Sequence, residues 1–149
     1  MSAPAALSAQ HVLEYPYQRS TGPVIGRFLT GLRERRVFGI RAQDGRVLVP
    51  PQEYDPQTAD ALDDWVEVAD EGVVTTWTWQ GEPRTAQPLS RPFAWVLVRL
   101  DGADTSLLHA LDVDDPASVR TGMRVRIRWA EEPIGSVADI ACFEPEPAT

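Results

Sequence analysis

The second half of the chain consists of short apolar runs of strand length, separated by turn residues. From Trp65 onward the runs are rich in Val, Leu, Ile and Trp, and Gly, Pro, Asp or Ser stand between them. Several strands at this close spacing favour a small barrel over a parallel α/β sheet. We predict a mainly β fold with five strands, at 65–68 continuing into 73–79, and at 93–100, 106–111, 124–129 and 137–143.

The fourth of these runs indicates which side of the barrel wall is buried. Apolar side chains alternate with arginines through residues 123–129. Successive side chains of a strand point to opposite faces of a sheet. One face of this strand is therefore expected in the core and the other in water.

The first third of the chain predicts a helix followed by a hairpin. Pro23 suits a first helical turn, and apolar side chains recur at helical spacing up to Leu32, so the helix is expected at about 23–36. Extended segments at 37–41 and 46–49 flank Asp44-Gly45, which is a hairpin signal. Pro50-Pro51 ends the second segment. Residues 52–64 are polar, and we expect them to be irregular.

The order of these features resembles a family of zinc-ribbon/OB-fold proteins that accompany thiolases and related acyl-CoA enzymes. The resemblance runs from about residue 28 to residue 143, and the shared order of its marks carries it. The marks are Phe28-Leu29-x-Gly31-Leu32, Gly45 before Pro50-Pro51, Pro56, Gly72-x-Val74, the run Pro92 to Val98 with Leu100-Asp101-Gly102, and Thr121 to Val125.

The resemblance implies an oligonucleotide/oligosaccharide-binding-type (OB) barrel at 65–143. A short amphipathic helix and a degenerate zinc-ribbon-like hairpin at 23–64 precede it, with a loose N-terminus at 1–22 and a flexible tail at 144–149. It further implies a non-catalytic partner subunit in a hetero-oligomer with a thiolase-like or lipid-transfer-protein-type aldolase subunit. Such a subunit helps complete an acyl-CoA site in steroid or lipid side-chain degradation. A coenzyme A thioester would be the shared ligand, with no cofactor bound by this chain.

One departure from the family concerns its metal. Zinc-binding members carry two Cys-x-x-Cys pairs, and the corresponding positions here are Arg41, Asp44, Asp55 and Thr58. Structural zinc requires thiolate or imidazole ligands. We therefore expect no metal, and the hairpin must be held by other contacts.

Two sets of side chains are candidates for binding. Guanidinium groups clamp phosphates by paired hydrogen bonds, and apolar side chains serve protein interfaces. The candidates for coenzyme A or partner contact are Arg35, Arg36, Arg41, Arg84 and Arg91, the last two flanking a Pro-rich loop. The interface candidates are Phe28, Leu32, Phe38, Trp77 and Trp79, although the tryptophans also suit core packing.

Composition excludes several other functions. All 14 basic residues are Arg, so lysine-dependent Schiff-base chemistry is impossible in this chain. The single cysteine, Cys142, makes no internal disulfide.

The rival hypothesis is a nucleic-acid-binding OB protein, but phosphate contacts need a basic track and the net charge is −8. A hydrolase would require Ser106 beside His11 or His109, and no nucleophile-elbow motif supports one. Asp60, Asp63, Asp64 and Glu67 lack calcium-loop spacing.

The chain start and its hydropathy suggest a location. Residues 1–9 are small and polar, without a charged segment leading into an apolar one. No apolar run approaches the roughly 20 residues that span a bilayer. We therefore expect a cytoplasmic protein that does not enter the membrane.

Overall fold

The computed structural model describes residues 7–147, which form one short α-helix and eight strands arranged in two sheets. The elements are α1 Gly22–Arg33, β1 Val37–Arg41, β2 Val47–Leu48, β3 Trp65–Val68, β4 Glu71–Gln80, β5 Phe93–Leu100, β6 Leu107–Leu111, β7 Arg124–Trp129 and β8 Ile140–Pro145. The first three strands form a sheet in the order β2-β1-β3, and the other five close a barrel in the order β4-β5-β6-β8-β7. The predicted mainly β class and five-stranded barrel are confirmed.

Helix α1 is one turn shorter than predicted. It starts with Pro23 in its first turn, as expected, and ends at Arg33 instead of residue 36. Arg35 has a φ of 59°, and the backbone N–H of Arg36 donates to the carbonyl of Gly31 at 2.9 Å. A left-handed residue just after a helix reverses the chain. The reversal brings Phe38 of β1 directly against Gly31, where a Cβ atom would lie 2.6 Å from the Phe38 ring.

The segment Trp65–Val68 does not belong to the barrel, contrary to the prediction that it continues into the first barrel strand. It forms β3 and pairs antiparallel with β1, with Val68 opposite Val37 and Trp65 opposite Ile40. Between β3 and β4, the N–H of Ala69 donates to the carbonyl of Asp101. The chain therefore passes from one sheet to the other at residues 69–70.

Strand β4 contains a bulge that changes which side chains face inward. The register shifts between Val74 and Thr76. Val74 is buried, whereas further along the strand Trp77 and Trp79 are the side chains that pack against the core. Thr75 occupies the bulge and donates from Oγ1 to the carbonyl of Leu97 at 3.1 Å.

The last strand also differs from its predicted range. Residues 137–139 form a 3₁₀ turn, which Ser136 and Asp139 close with a capping box. Strand β8 starts at Ile140 and runs through Glu144 and Pro145, which were predicted to lie in a flexible tail. Pairing with Arg126 and Val125 of β7 holds these two residues. The rest of the predicted tail falls partly outside the described residues, as does the start of the predicted loose N-terminus.

One hydrophobic core connects the two sheets. Phe28 and Leu32 of the helix and Val37 of β1 join the same buried cluster as barrel residues such as Val96 and Phe143. The three-stranded sheet is therefore packed onto the barrel as part of one folding unit. In the described part of the chain, no helix combines the length and hydropathy needed to cross a bilayer.

Candidate partner-binding surface

Asp55 is one of the four positions that the resemblance aligns with zinc-binding cysteines, and its side chain joins two turns of this chain. Its carboxylate accepts a backbone hydrogen bond from Gln43 in the first turn at 2.8 Å. It also accepts bonds from Gln57 at 2.8 Å and Thr58 at 3.0 Å in the second turn. These bonds, led by the one from Gln43, lower the pKa of Asp55 below its ordinary value. A buried carboxylate is thus the common centre of the two turns.

Two of the other three aligned positions, Asp44 and Arg41, make ion pairs. The Asp44 carboxylate accepts bonds from Arg46, and Arg41 pairs with Asp64 at 3.2 Å. Within residues 7–147, no group of three or more His, Cys, Asp or Glu side chains is placed to hold a metal ion. The described donor set does not suit zinc, which prefers sulfur and nitrogen ligands.

Three of the five arginine candidates are engaged with carboxylates of this chain. Arg36 makes two hydrogen bonds to Glu67, at 3.1 and 2.6 Å. Arg41 is paired with Asp64, and Arg91 reaches both Asp112 and Asp114. A phosphate would have to displace a carboxylate at each of these three positions.

The other two arginine candidates are held differently. Arg35 is exposed at the left-handed position after α1, and its guanidinium donates to the carbonyl of Ala130 at 3.5 Å. Arg84 is exposed on the loop between β4 and β5, where its backbone exchanges hydrogen bonds with Gln87. Arg35 and Arg36 are neighbours in the turn after α1, Arg41 ends β1, and Arg84 and Arg91 lie between β4 and β5, so no single element carries all five.

Two interface candidates are buried within this chain, so that part of the prediction is wrong. Phe28 is 3% exposed and Leu32 is fully buried. The helix uses its apolar face to fill the core shared with the barrel, which leaves these side chains unavailable to a partner. Trp77 and Trp79 are half-buried against the same core, in agreement with the core-packing alternative.

Phe38 is the aromatic candidate that stays at the surface of the three-stranded sheet. Its ring is half-buried and meets Trp65 edge-on, with 6.5 Å between centroids. The guanidinium of Arg36 lies 4.8 Å from the Phe38 ring centre, and that of Arg27 lies 4.4 Å from the Trp65 ring. Stacked arginines and aromatics of this kind are enriched at protein interfaces.

An exposed apolar segment that the sequence pattern did not reveal precedes α1; we call it the N-terminal arm and define it as residues 7–20. The arm has no helix or strand and leads directly into α1. Its large apolar side chains are 63–101% exposed, and they are Leu7, Val12, Leu13, Tyr15 and Tyr17. The signal in the sequence was the apolar content of 12–17, which a prediction of a loose terminus overlooked.

The outer face of β7 is basic in sequence and neutralised in the structure. Arg124 pairs with Asp101 and Glu146 at 2.7 and 2.9 Å, and Arg126 pairs with Glu144 at 2.8 Å. Arg128 bonds to Asp112 at 2.8 Å. These arginines do not form an open basic track of the kind that binding to a phosphate backbone requires.

The structure does not assemble the side chains of the hydrolase hypothesis. The hydroxyl of Ser106 is 3.2 Å from that of Thr75. His109 is buried, and its Nδ1 accepts the N–H of Ala110 at 2.8 Å. The two residues therefore have separate partners. Burial raises the pKa of the Cys142 thiol to about 11, which makes it a poor nucleophile.

Residues 65–130 match the family model described as the C-terminal OB-fold domain of ChsH2. Among curated proteins, no sequence matches this chain.

Two solved structures have a similar fold. One is a crystal structure of a DUF35-family protein of unknown function from Sulfolobus solfataricus, with 25% identity and a TM-score of 0.58 over 72% of this chain and 78% of that chain. The other is described as an Ltp2-ChsH2(DUF35) aldolase, with 22% identity and a TM-score of 0.62 over 86% of this chain and 98% of that chain. At that identity the second likeness establishes the fold alone. Residues 65–130 of this chain are therefore similar to the C-terminal OB-fold domain of ChsH2, and they include four of the five barrel strands, β4 to β7.

Proposed function

We propose that this chain is a non-catalytic partner subunit of a thiolase-like acyl-CoA enzyme, of the lipid-transfer-protein-type aldolase class. The observation that carries the proposal is the match of residues 65–130 to the ChsH2 C-terminal OB domain. A fold shared over most of the chain with an Ltp2-ChsH2(DUF35) aldolase supports it. The partner makes and breaks the bonds, and this chain completes the acyl-CoA site in the degradation of steroid or lipid side chains.

The partner contacts the N-terminal arm and the adjoining surface of the helix and three-stranded sheet. The arm exposes Tyr15 and Tyr17 at 74% and 77%, and Ile25 in the first turns of α1 is 39% exposed. Contiguous exposed apolar side chains commonly mark partner sites. Phe38 lies on the same third of the chain, and its stacked arginines suit the rim of such an interface.

We assign contact with coenzyme A to Arg35 and Arg84, the candidate arginines that make no ion pair with the described residues. Arg35 and Arg84 can turn toward a phosphate without breaking a bond to a carboxylate, whereas Arg36, Arg41 and Arg91 cannot. Arg35 also lies next to the proposed partner surface, at the end of α1. It is therefore the first arginine we would place at the mouth of a shared acyl-CoA site.

The test is co-expression with the proteins encoded in neighbouring open reading frames and with a thiolase-like protein. We expect one complex by gel filtration, and acyl-CoA turnover by the complex but not by this chain alone. Tyr15→Ser combined with Tyr17→Ser should weaken the complex without unfolding the chain, because neither ring is buried. Leu108→Ser is the matched control, since Leu108 is 58% exposed on the barrel.

Three outcomes would contradict the proposal. They are the absence of a complex with any such protein, turnover by this chain after rigorous removal of its partner, and equal weakening by the control variant. Retention on single-stranded DNA that falls steeply with salt would favour the rival nucleic-acid function.

A further inference from the structure

The N-terminal arm has the side-chain pattern of a strand but no strand partner in this chain. From residue 13 to residue 18, large apolar side chains at the odd positions alternate with Glu, Pro and Gln at the even positions. Such alternation is typical of a strand with one covered face. Within residues 7–147, no backbone–backbone hydrogen bond holds the arm, and its apolar side chains stay exposed. A single chain therefore leaves a strand-like segment without a sheet.

Pro16 determines which edge of the arm can pair with a sheet. Successive residues of a strand direct their N–H and C=O groups to opposite edges. Pro16 has no N–H, so its edge of the strand must face solvent, as prolines in sheets do. The other edge belongs to Leu13, Tyr15 and Tyr17. The arm can therefore be added to the side of a sheet, but it cannot be inserted between two strands.

The outer half of β4 offers an open edge for such an addition. Strand β4 pairs with β7 only at 71–73. The last backbone hydrogen bonds on that side join Val74 to Gly122 at 2.7 Å and to Met123 at 3.0 Å. From residue 76 to residue 80, β5 is the one strand of the described chain that pairs with β4. An open edge presents unpaired N–H and C=O groups that can bond to a further strand.

The bulge in β4 brings this open edge into phase with the arm. Val74 directs its backbone groups toward the β7 side and its side chain toward the core. The bulge adds one residue, so beyond it Trp77 and Trp79 have that orientation, and both pack against the core. Residues that face each other in an antiparallel pair carry their side chains on the same face. Tyr15 opposite Trp77 and Leu13 opposite Trp79 would thus form apolar cross-strand pairs.

We propose that the N-terminal arm adds an antiparallel strand to the open edge of β4 in a second copy of this chain, and that the exchange is reciprocal. The strand without a sheet and the edge without a strand belong to one chain, so two copies satisfy each other about a two-fold axis. Tyr15 and Tyr17 of both arms bury roughly 600–1,000 Å² in the exchange, at roughly 150–250 Å² for each ring. With an equal area on the receiving surfaces, the contact reaches the roughly 1,200–2,000 Å² of a stable interface.

The exchange does not rest on the proposed partner function. A partner subunit that binds the same arm would compete with it, so the test uses the full-length chain alone. Sedimentation equilibrium over a range of concentrations should show a monomer–dimer equilibrium. Tyr15→Ser combined with Tyr17→Ser should raise the dissociation constant of the dimer at least about 100-fold, because four rings leave the interface. Leu108→Ser, at an exposed position of β6, should leave that constant unchanged.

Proline substitutions test which edge of the arm is bonded. Tyr15→Pro removes an N–H from the bonding edge, and Tyr15→Ala is its control for loss of the ring. Glu14→Pro removes an N–H from the edge of Pro16, and Glu14→Ala is its control. We expect Tyr15→Pro to weaken the dimer at least about fivefold more than Tyr15→Ala, because each dimer loses two hydrogen bonds. The two Glu14 variants should dimerise equally.

Amide hydrogen exchange locates the receiving edge. The amides of Trp77 and Trp79 should be protected in the concentrated, unchanged chain and should lose that protection in the double-serine variant. Circular dichroism checks that each variant stays folded, as the exposure of the arm predicts. A monomer at every concentration or a dimer that the double-serine variant leaves intact would overturn the proposal. So would equal dimerisation of Tyr15→Pro and Tyr15→Ala, or equal protection of the two amides in both chains.

Discussion

Asp55 connects the turn that precedes β2 with the turn that follows it. Asp55 is 4% exposed and accepts three backbone hydrogen bonds from two separate turns. The sequence shows that the zinc ligands are missing, but it does not show that one of the substituted positions bridges both turns. That role depends on the side chain pointing between the turns, which no spacing rule predicts.

Replacing Asp55 with Ala should lower the thermal midpoint of the chain by several degrees, because three N–H groups lose their acceptor. Asp44→Ala is the matched control, since the Asp44 carboxylate bonds to the nearby Arg46 and to Gln57. Melting followed by circular dichroism measures both. A control that melts as early as the Asp55 variant would show that Asp55 has no special bridging role.

The Asp55 carboxylate should also make the stability of the fold sensitive to acid. The pKa of Asp55 is lowered in the folded chain, so its stabilisation is present above the ordinary pKa of an aspartic acid, roughly 3.9. It is lost as the pH falls through the lower, folded-state value. Denaturant midpoints measured from pH 6 to pH 2 should therefore fall less steeply for Asp55→Asn than for the unchanged chain. Parallel curves would contradict this assignment.

Cys142 should be inert in the folded protein. It is fully buried, and with a thiol pKa of about 11 the thiolate is roughly one part in a thousand at pH 8. A chromogenic disulfide reagent should label the thiol slowly in buffer and rapidly in denaturant. Fast labelling in buffer would mean that the region around β8 opens readily.

At the scale of elements, the positions of the strands were easier to predict than the strands with which they pair. The alternation in 123–129 correctly gives β7 its buried and wet faces, with Val125 fully buried. The apolar pattern of 65–68 predicts a strand but not its neighbour, and β3 pairs with β1 instead of extending β4. The bulge at Thr75 is also invisible to a pattern of period two, because it changes the period itself.

Gly72 fixes how closely β4 approaches β5. A Cβ at this position would meet the Arg99 carbonyl and lie 2.7 Å from the Leu100 Cα, both of which are backbone. Gly72→Ala should therefore destabilise the barrel by about 1–3 kcal/mol, as overpacking does. Gly26→Ala in α1 is the contrasting variant, because its Cβ meets only a Thr21 side-chain oxygen at 3.3 Å. That change should be neutral or stabilising by up to about 1 kcal/mol. Equal effects in urea unfolding would refute the steric argument.

At the scale of the molecule, the sequence predicts the barrel and the helix, but it does not predict that the apolar face of the helix is buried against the barrel. An apolar helix next to a metal-free ribbon suggested an exposed docking surface. The structure instead places Phe28 and Leu32 in the core that the ribbon and barrel share. Half of the exposed large apolar side chains of the described residues lie in the N-terminal arm, whose irregular backbone gives no periodic signal.

The shared core predicts that ribbon and barrel unfold together. Leu32 is fully buried and lies in one cluster with Val37 of the ribbon and Val96 of the barrel. Leu32→Ala should cost about 2–5 kcal/mol, a large share of the roughly 5–15 kcal/mol that stabilises a typical domain. Ile25→Ala, on the exposed side of the same helix, should cost much less.

Urea unfolding of the Leu32→Ala variant, followed by amide NMR signals of β1 and β5, measures whether the two sheets separate. We expect one unfolding midpoint for both strands, shifted equally by the substitution. The reason is that the void left by Leu32→Ala lies in the core against which both sheets pack. If β1 signals disappear at a lower urea concentration while β5 remains folded, the ribbon is an independent unit. In that case the core would not couple the three-stranded sheet to the barrel.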